Sequence, residues 1–222
     1  MSMNVIAFNG SPRADGNTSV LLNTVLAELR NAGVETELIH VGGKTVQGCT
    51  GCFKCFENQD KHCVLKKDPV NEWLDKMILA DGIILGSPVY CADLTGQIKT
   101  FMDRTSLVAC ANAWMFQRKI GAGVVAVRRA GAVHTFHSLN SYFTIAQMIV
   151  VGSSYWNMGF GMDKGEVLKD AEGLQTMRNL GRNMAWLLKC LEATKTTVPA
   201  PQTELGARTN LVRDDLKPGY PV

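Results

Sequence analysis

Met3-Asn4-Val5-Ile6-Ala7-Phe8 is a short apolar run that stops at Asn9-Gly10-Ser11-Pro12. A run of this kind, bounded by turn formers, reads as a buried strand that feeds a loop. Thr18 to Asn31 then carries apolar residues at 21, 22, 25, 26 and 29, the spacing of one helix face, with Asn17 or Thr18 as its N-cap. Val34 to Ile39 alternates and reads as a second strand. Strand, loop, helix and strand in this order form the repeating unit of an α/β protein.

The same alternation continues down the chain. Pro69 to Ala80 reads as a helix, Gly82 to Gly86 as a strand, Gly96 to Arg104 as a helix and Lys119 to Val127 as a strand. Thr135 to Ile149 reads as a helix, and Val150 to Tyr155 as a fifth and last strand. Leu174 to Leu191 has apolar positions at 174, 177, 180, 184, 187, 188 and 191, an amphipathic helix. Short apolar strands alternating with helices imply a parallel sheet covered on both faces. After Thr194 the composition turns to Thr, Pro, Gln and Gly. Residues 1–194 therefore read as one domain. Residues 195–222 read as an extended tail that wraps its own domain or a neighbouring subunit, or frays.

Composition excludes several classes. The 222 residues are 46% hydrophobic and 19% charged, with 21 Gly and 7 Pro, an ordinary globular make-up. A net charge of +3 without a run of Lys or Arg argues against a nucleic-acid partner. The apolar runs fall short of the ~18 residues of a membrane helix, so no membrane association is expected. Residues 1–30 carry no targeting pattern, since Arg13, Asp15 and Asn17 break them early. The expectation is a soluble, cytoplasmic protein with reduced thiols. Seven cysteines, an odd number, argue against a disulfide framework.

The loop Gly10-Ser11-Pro12-Arg13-Ala14-Asp15-Gly16-Asn17-Thr18-Ser19 holds hydroxyls, an amide, an Arg and a helix start. A helix N-terminus offers free N–H groups and partial positive charge, which suit a phosphate. Gly43-Lys44-Thr45 is no Walker A end, because its first Gly would fall on Leu38. Gly121, Gly123 and Ala126 fit a dinucleotide fingerprint in spacing but lie inside a strand, not after it.

Gly10-Ser11-Pro12-Arg13 with Asn17-Thr18 resembles the phosphate loop of the NADPH-dependent FMN reductase branch of the flavodoxin-like superfamily. Ser87-Pro88-Val89-Tyr90, Thr95-Gly96-Gln97-Ile98-Lys99 and Asp103-Arg104 match the segment after the third strand of that branch. The resemblance runs from about Met3 to Leu191. It implies a flavodoxin-like three-layer sandwich whose five-stranded parallel sheet has the order 2-1-3-4-5. It also implies FMN, with the phosphate on Ser11, Arg13, Asn17, Thr18 and Ser19 and the ring against Pro88, Val89 and Tyr90. The loop holding Arg128, Arg129, Ala130 and Gly131 would meet the flavin from the other side. Arg128 or Arg129 could hold charge on reduced flavin or the phosphate of NADPH; the alternative is a solvated basic pair. His134 and His137 read as surface or packing residues.

Cys49-x2-Cys52-x2-Cys55-x7-Cys63 sits in the long polar segment 40–67. Thiolates are soft ligands for iron–sulfur clusters and zinc. Two well-separated Cys pairs are the usual zinc pattern, so zinc fits this spacing less well. The motif resembles that of the iron–sulfur flavoproteins, which pass electrons between a [4Fe-4S] cluster and FMN. A cluster, free thiols and zinc all remain open readings. Cys91, Cys110 and Cys190 are scattered. Cys190 reads as packing, Cys91 as a neighbour of the flavin and Cys110 as part of a subunit contact.

Together these features imply an FMN-dependent NAD(P)H oxidoreductase with a small acceptor such as a quinone or flavin. The alternative is an electron carrier fed by ferredoxin through the cluster. Members of the branch form homodimers or homotetramers, and Trp114, Phe116 and the tail are the expected contact. No catalytic side chain is required, because the flavin carries the chemistry.

Overall fold

A computed structural model describes residues 3–205 and 207. The strands are β1 (Asn4–Asn9), β2 (Glu35–His40), β3 (Gly82–Pro88), β4 (Ile120–Val127), β5 (Ile149–Val150) and β6 (Met158–Phe160). The helices are α1 (Asn17–Asn31), α2 (Lys54–Asn58), α3 (Val70–Leu79), α4 (Gly96–Ala111), α5 (Ala132–Ile145) and α6 (Ala171–Thr194). All pairings are parallel, in the order β2-β1-β3-β4-β5, with β6 also on β4. This is the flavodoxin-like sheet expected from the sequence, with one addition.

The addition corrects the last strand. Val150 to Tyr155 is not continuous. β5 pairs Ile149 and Val150 with Ile120 and Gly121, while β6 pairs Met158 to Phe160 with Val125 to Val127. Both lie along the same side of β4, so the edge strand is split by a loop at 151–157. The Ser153 hydroxyl bonds the Asn157 side chain at 2.6 Å, and the Asn157 carbonyl accepts from Val125 N–H at 2.9 Å. Helix boundaries also shift: α4 runs seven residues past Arg104, and α5 starts at Ala132 and stops at Ile145.

The strands read as continuous apolar runs because both faces are covered. Val5 and Ala7 of β1 and Ile84 of β3 face a core layer with Leu22, Val25 and Leu26 of α1 and Leu180 and Met184 of α6. Ile6 and Phe8, with Ile83 and Leu85, face the opposite layer, where Phe8 meets Trp73 of α3 and Phe101 of α4. At ~25 cal/mol per Å² of apolar surface, these two layers supply the main folding drive. Phe116 is wholly buried in the second layer, so it cannot serve the expected subunit contact; Trp114 remains partly exposed.

α6 ends at Thr194. The first tail residues return to their own domain: Arg118 donates to the Pro201 carbonyl, and the Thr203 hydroxyl meets the Gln147 side chain at 2.8 Å. Most of the segment read as a tail, at 206 and from 208 onward, lies outside the described residues. Among the described residues no helix is long and apolar enough to cross a membrane.

Candidate functional site

Strand order reverses between β1 and β3, and in such a sheet ligands bind outside the carboxyl ends of the strands at that point. The loop after β1 is shaped there by Asn9, a buried residue whose Oδ1 accepts from Ser11 N–H at 3.0 Å. The Ser11 hydroxyl accepts from Arg13 N–H at 3.1 Å, and the Ser11 carbonyl meets a His40 ring nitrogen at 2.7 Å. Such side-chain-to-backbone bonds are what Asn and Ser contribute to tight turns.

α1 then starts without a side-chain cap. Its N-cap residue is Gly16, not Asn17 or Thr18 as the sequence suggested. The Asn17 amide is occupied elsewhere, donating to the Gly161 and Asp163 carbonyls at 3.0 Å each. Asn17 therefore ties the segment after β6 to the helix start and leaves its backbone N–H for a ligand. Thr18 and Ser19 are buried in the first turn; Arg13 is exposed at the rim. An uncapped first turn with no acidic residue is set up for an anion.

The loop after β3 is fastened to the first one. Gly10 N–H donates to the Gly86 carbonyl at 2.8 Å, and the Thr95 hydroxyl donates to the Gly10 carbonyl at 2.7 Å. Thr95 N–H donates to the Ser87 hydroxyl at 3.0 Å, and Thr95 caps α4 by accepting from Ile98 N–H. A Cβ on Gly10 would lie 2.6 Å from the Ile98 Cβ, so only glycine permits this contact.

Tyr90 to Asp93 closes a two-residue turn, with Tyr90 N–H to Asp93 carbonyl at 2.7 Å and the reverse bond at 3.0 Å. Its central residues, Cys91 and Ala92, both have positive φ, at 45° and 68°. Non-glycine residues held there cost of order 1–3 kcal/mol each and cluster at ligand clamps. Gly131 packs on this turn: its φ is +89°, and a Cβ would meet Val89 Cγ1 at 2.8 Å. The loop expected to face the other side of a flavin therefore touches the Pro88-Val89-Tyr90 segment directly. Val89 and Pro88 are half-buried, and Tyr90 is exposed; Arg128, Arg129 and Ala130 are exposed beside them. The Asp93 carboxyl is desolvated, yet hydrogen bonds from Ser138 and Leu94 N–H and the nearby His134 hold it below the ordinary value.

The cysteine loop folds over α4, on the same helix that Thr95 caps. Cys49, Cys52, Cys55 and Cys63 line one pocket, floored by Arg104, Leu107 and Val108. Left-handed residues at Gly51, Phe53, Gln59 and Lys61 bend the backbone around it. Asn71 of α3 grips Cys63 from both sides, accepting from its N–H and donating to its carbonyl, each at 2.8 Å. Burial raises the Cys55 thiol, and the neighbouring Cys63 and Cys49 add to it; the Lys54 N–H and Thr50 hydroxyl lower Cys52.

The anchor of this loop is Arg104, which is fully buried. It donates to the Asp68 carboxylate, to the Gln47 carbonyl at 3.2 Å and to the Leu65 carbonyl at 3.0 Å. Removing one partner of a buried ion pair costs about 3–5 kcal/mol. Among the described residues no three ligating side chains converge on a single-ion site. Four thiols lining one pocket are the soft donor set that a zinc ion or a four-cysteine iron–sulfur cluster takes.

A family model described as NADPH-dependent FMN reductase matches residues 3–163. The chain belongs to the NADPH-dependent FMN reductase family. It is 38% identical over 197 residues to an iron–sulfur flavoprotein of Methanocaldococcus jannaschii, covering 86% of this chain and 100% of that one. It is 29% identical over 195 residues to an iron–sulfur flavoprotein of Methanosarcina thermophila, covering 87% and 99%. The solved structure of a WrbA-like flavodoxin from Agrobacterium tumefaciens matches with a TM-score of 0.59 at 18% identity, covering 86% of this chain and 99% of that one, a likeness of fold.

As an FMN reductase family member, the chain brings Ser11, Arg13, Thr18 and Ser19 to one loop and Pro88, Val89 and Tyr90 to its neighbour, with Gly131 of the loop after β4 packed against Val89. Sequence reasoning missed what holds these loops in place. Asn9 at a strand end before Gly-Ser-Pro is an Asx-turn former, and Thr95 before Gly96 is a helix-cap signal; both roles could have been read. Arg104 stood in the family-matching segment without a role, because its partner Asp68 lies 36 residues away, and nothing in the sequence marks Asn71 as a partner of Cys63.

Proposed function

We propose that this chain is an FMN-binding oxidoreductase that takes electrons from NAD(P)H and delivers them to a small acceptor such as a quinone or a flavin. The uncapped start of α1 beside Ser11, Thr18 and Ser19, at the sheet's switch point, carries the reading. Bound FMN would supply hydride acceptance and one-electron transfer. The chain's own part is to bind and orient. The α1 N-terminus and the Ser11, Thr18 and Ser19 hydroxyls hold the phosphate. The strained turn at Cys91 and Ala92 and the Gly131 loop set a flat slot, with Val89 and Tyr90 as its apolar wall. Exposed Arg128 and Arg129 offer positive charge to a reduced ring or a nicotinamide phosphate.

The four-cysteine pocket supports a [4Fe-4S] cluster as a second redox group, held by Cys49, Cys52, Cys55 and Cys63. That pocket also favours a second reading, an electron carrier that accepts from a ferredoxin and has no small substrate of its own. The near full-length likeness to iron–sulfur flavoproteins supports both. The exposed Tyr155–Trp156 pair, stacked edge to face at 4.8 Å beside exposed Phe160, supports assembly into a homodimer or homotetramer.

Anaerobic purification with FMN and iron analysis tests the cofactors. Steady oxidation of NADH or NADPH with a quinone or free FMN is the expected result for the enzyme. Reduction by ferredoxin without nicotinamide turnover would replace it with the carrier. Protein with no affinity for FMN would overturn both. Light scattering reads the assembly state, and a monomer would remove the dimer or tetramer.

A further inference from the structure

Arg104 has five N–H bonds. Its terminal nitrogens are engaged by Asp68, Gln47 and Leu65, but its Nε is buried without any hydrogen-bond partner. A buried, charged donor left unmade is costly, and native proteins rarely leave one without a reason. This donor belongs to a side chain that floors the four-cysteine pocket. One helical turn further on, the Leu107 carbonyl lies 4.0 Å from Cys55 Sγ, so the same face of α4 underlies both the guanidinium and a thiol. The pocket's other walls are Thr50, Phe53, Val64, Leu65 and Val108, and none of them brings a cation.

We infer that Arg104 is a positioning and tuning residue for the redox group of the cysteine pocket: its Nε–H donates to a sulfur there, while its terminal nitrogens clamp the loop through Asp68. This rests on the cluster reading above. A thiolate or bridging sulfide is an acceptor of the right polarity, and a hydrogen bond to sulfur stabilises the more negative, reduced state of a cluster. The ion pair with Asp68 keeps the guanidinium oriented without quenching Nε, since the carboxylate is bound at a terminal nitrogen. The two roles separate by sign. A donor to sulfur raises the reduction potential, and its loss lowers it. The Asp68 carboxylate acts in the opposite direction, so its neutralisation leaves the potential equal or higher. A plain loop clamp predicts instead that breaking either partner moves the potential the same way, through added water.

The test compares wild type, Arg104→Met, Arg104→Lys and Asp68→Asn, each checked for FMN and iron before a redox titration followed by EPR. The expected result for Arg104→Met is at least a tenfold loss in the one-electron reduction equilibrium, a fall of about 59 mV. Arg104→Lys falls less, and Asp68→Asn stays level or rises. A wild type that binds FMN but no iron overturns the cluster reading and this inference with it. An iron-loaded Arg104→Met with unchanged potential, or all variants shifting alike, overturns this inference alone. Pulsed EPR on reduced wild type carrying isotopically labelled arginine needs no variant and covers the case in which the substitutions lose the cluster. A nitrogen coupling supports the Nε–sulfur bond, and its absence overturns it.

Discussion

Thr95 carries three hydrogen bonds in one buried position: its hydroxyl caps α4 and donates to the Gly10 carbonyl, and its N–H donates to the Ser87 hydroxyl. Thr95→Val keeps the shape and removes the hydroxyl. The expected loss is about 1–3 kcal/mol, from the missing cap and an unsatisfied carbonyl. FMN affinity should fall with it, because the hydroxyl joins the two loops that form the slot. Urea midpoints and FMN fluorescence titration check the pair; lowered stability with unchanged FMN affinity would leave Thr95 as packing only. Asp93 offers a pH test on the same turn. Its folded-state carboxyl is depressed below the ordinary 3.8, so its stabilisation is fully present above that value and lost as pH falls through the folded one. With Asp93 43% exposed, that contribution stays within ~1 kcal/mol. The stability gap between wild type and Asp93→Asn should close as pH falls below about 5. A gap that widens below that pH would contradict the assignment.

At the scale of elements, α1 starts on a glycine with no side-chain cap, which is poor for a helix and good for a bound phosphate. Gly16→Asp should therefore act in opposite directions. The backbone there is extended, as a cap requires, and the nearest atom to a new Cβ is the Arg13 Cβ at 3.2 Å. Apo-protein stability should rise by up to ~1 kcal/mol, while FMN affinity drops at least tenfold as the carboxylate meets the phosphate. A gain in both would place the phosphate elsewhere. The elements themselves were mostly legible in the chain, and the reasons are local. β1, β3 and β4 are buried on both faces, so their apolar runs are unbroken, and α6 shows its stripe because one face meets α1 and the sheet. The split edge was not legible. Val150, Val151 and Tyr155 have strand-forming side chains, but pairing there depends on which β4 groups are free, such as Val125 N–H bonding the Asn157 carbonyl. The candidate site divides the same way. The four cysteines stood out by spacing, and Ser11, Thr18 and Val89 by the family resemblance of their loops. Arg104 lay in the family-matching segment, but its role was not legible, because its Asp68, Gln47 and Leu65 partners are set by the fold.

For the whole molecule, the boundary at Thr194 has an energetic meaning. Both core layers are complete before it: α6 contributes Met177, Leu180, Met184 and Leu188 to burial, and the last of these precedes the tail. The chain beyond α6 is exposed through residue 202 and is attached by polar contacts at Arg118, Gln117 and Gln147. Surface contacts of that kind contribute within about 1 kcal/mol each. They also lie at the end of the sheet where β4 begins, opposite the loops after β1 and β3. Ending the chain after Lys195 should therefore leave a folded protein whose urea midpoint falls slightly and whose FMN and iron contents match wild type. A bound ligand at 100 times its Kd adds about 2.7 kcal/mol, so FMN should raise the melting temperature of both forms by the same amount. If the shortened protein keeps its fold but loses FMN or changes its assembly state in light scattering, the tail belongs to the site or to the subunit contact. Equal FMN response and the same number of subunits assign 196–222 no part in either.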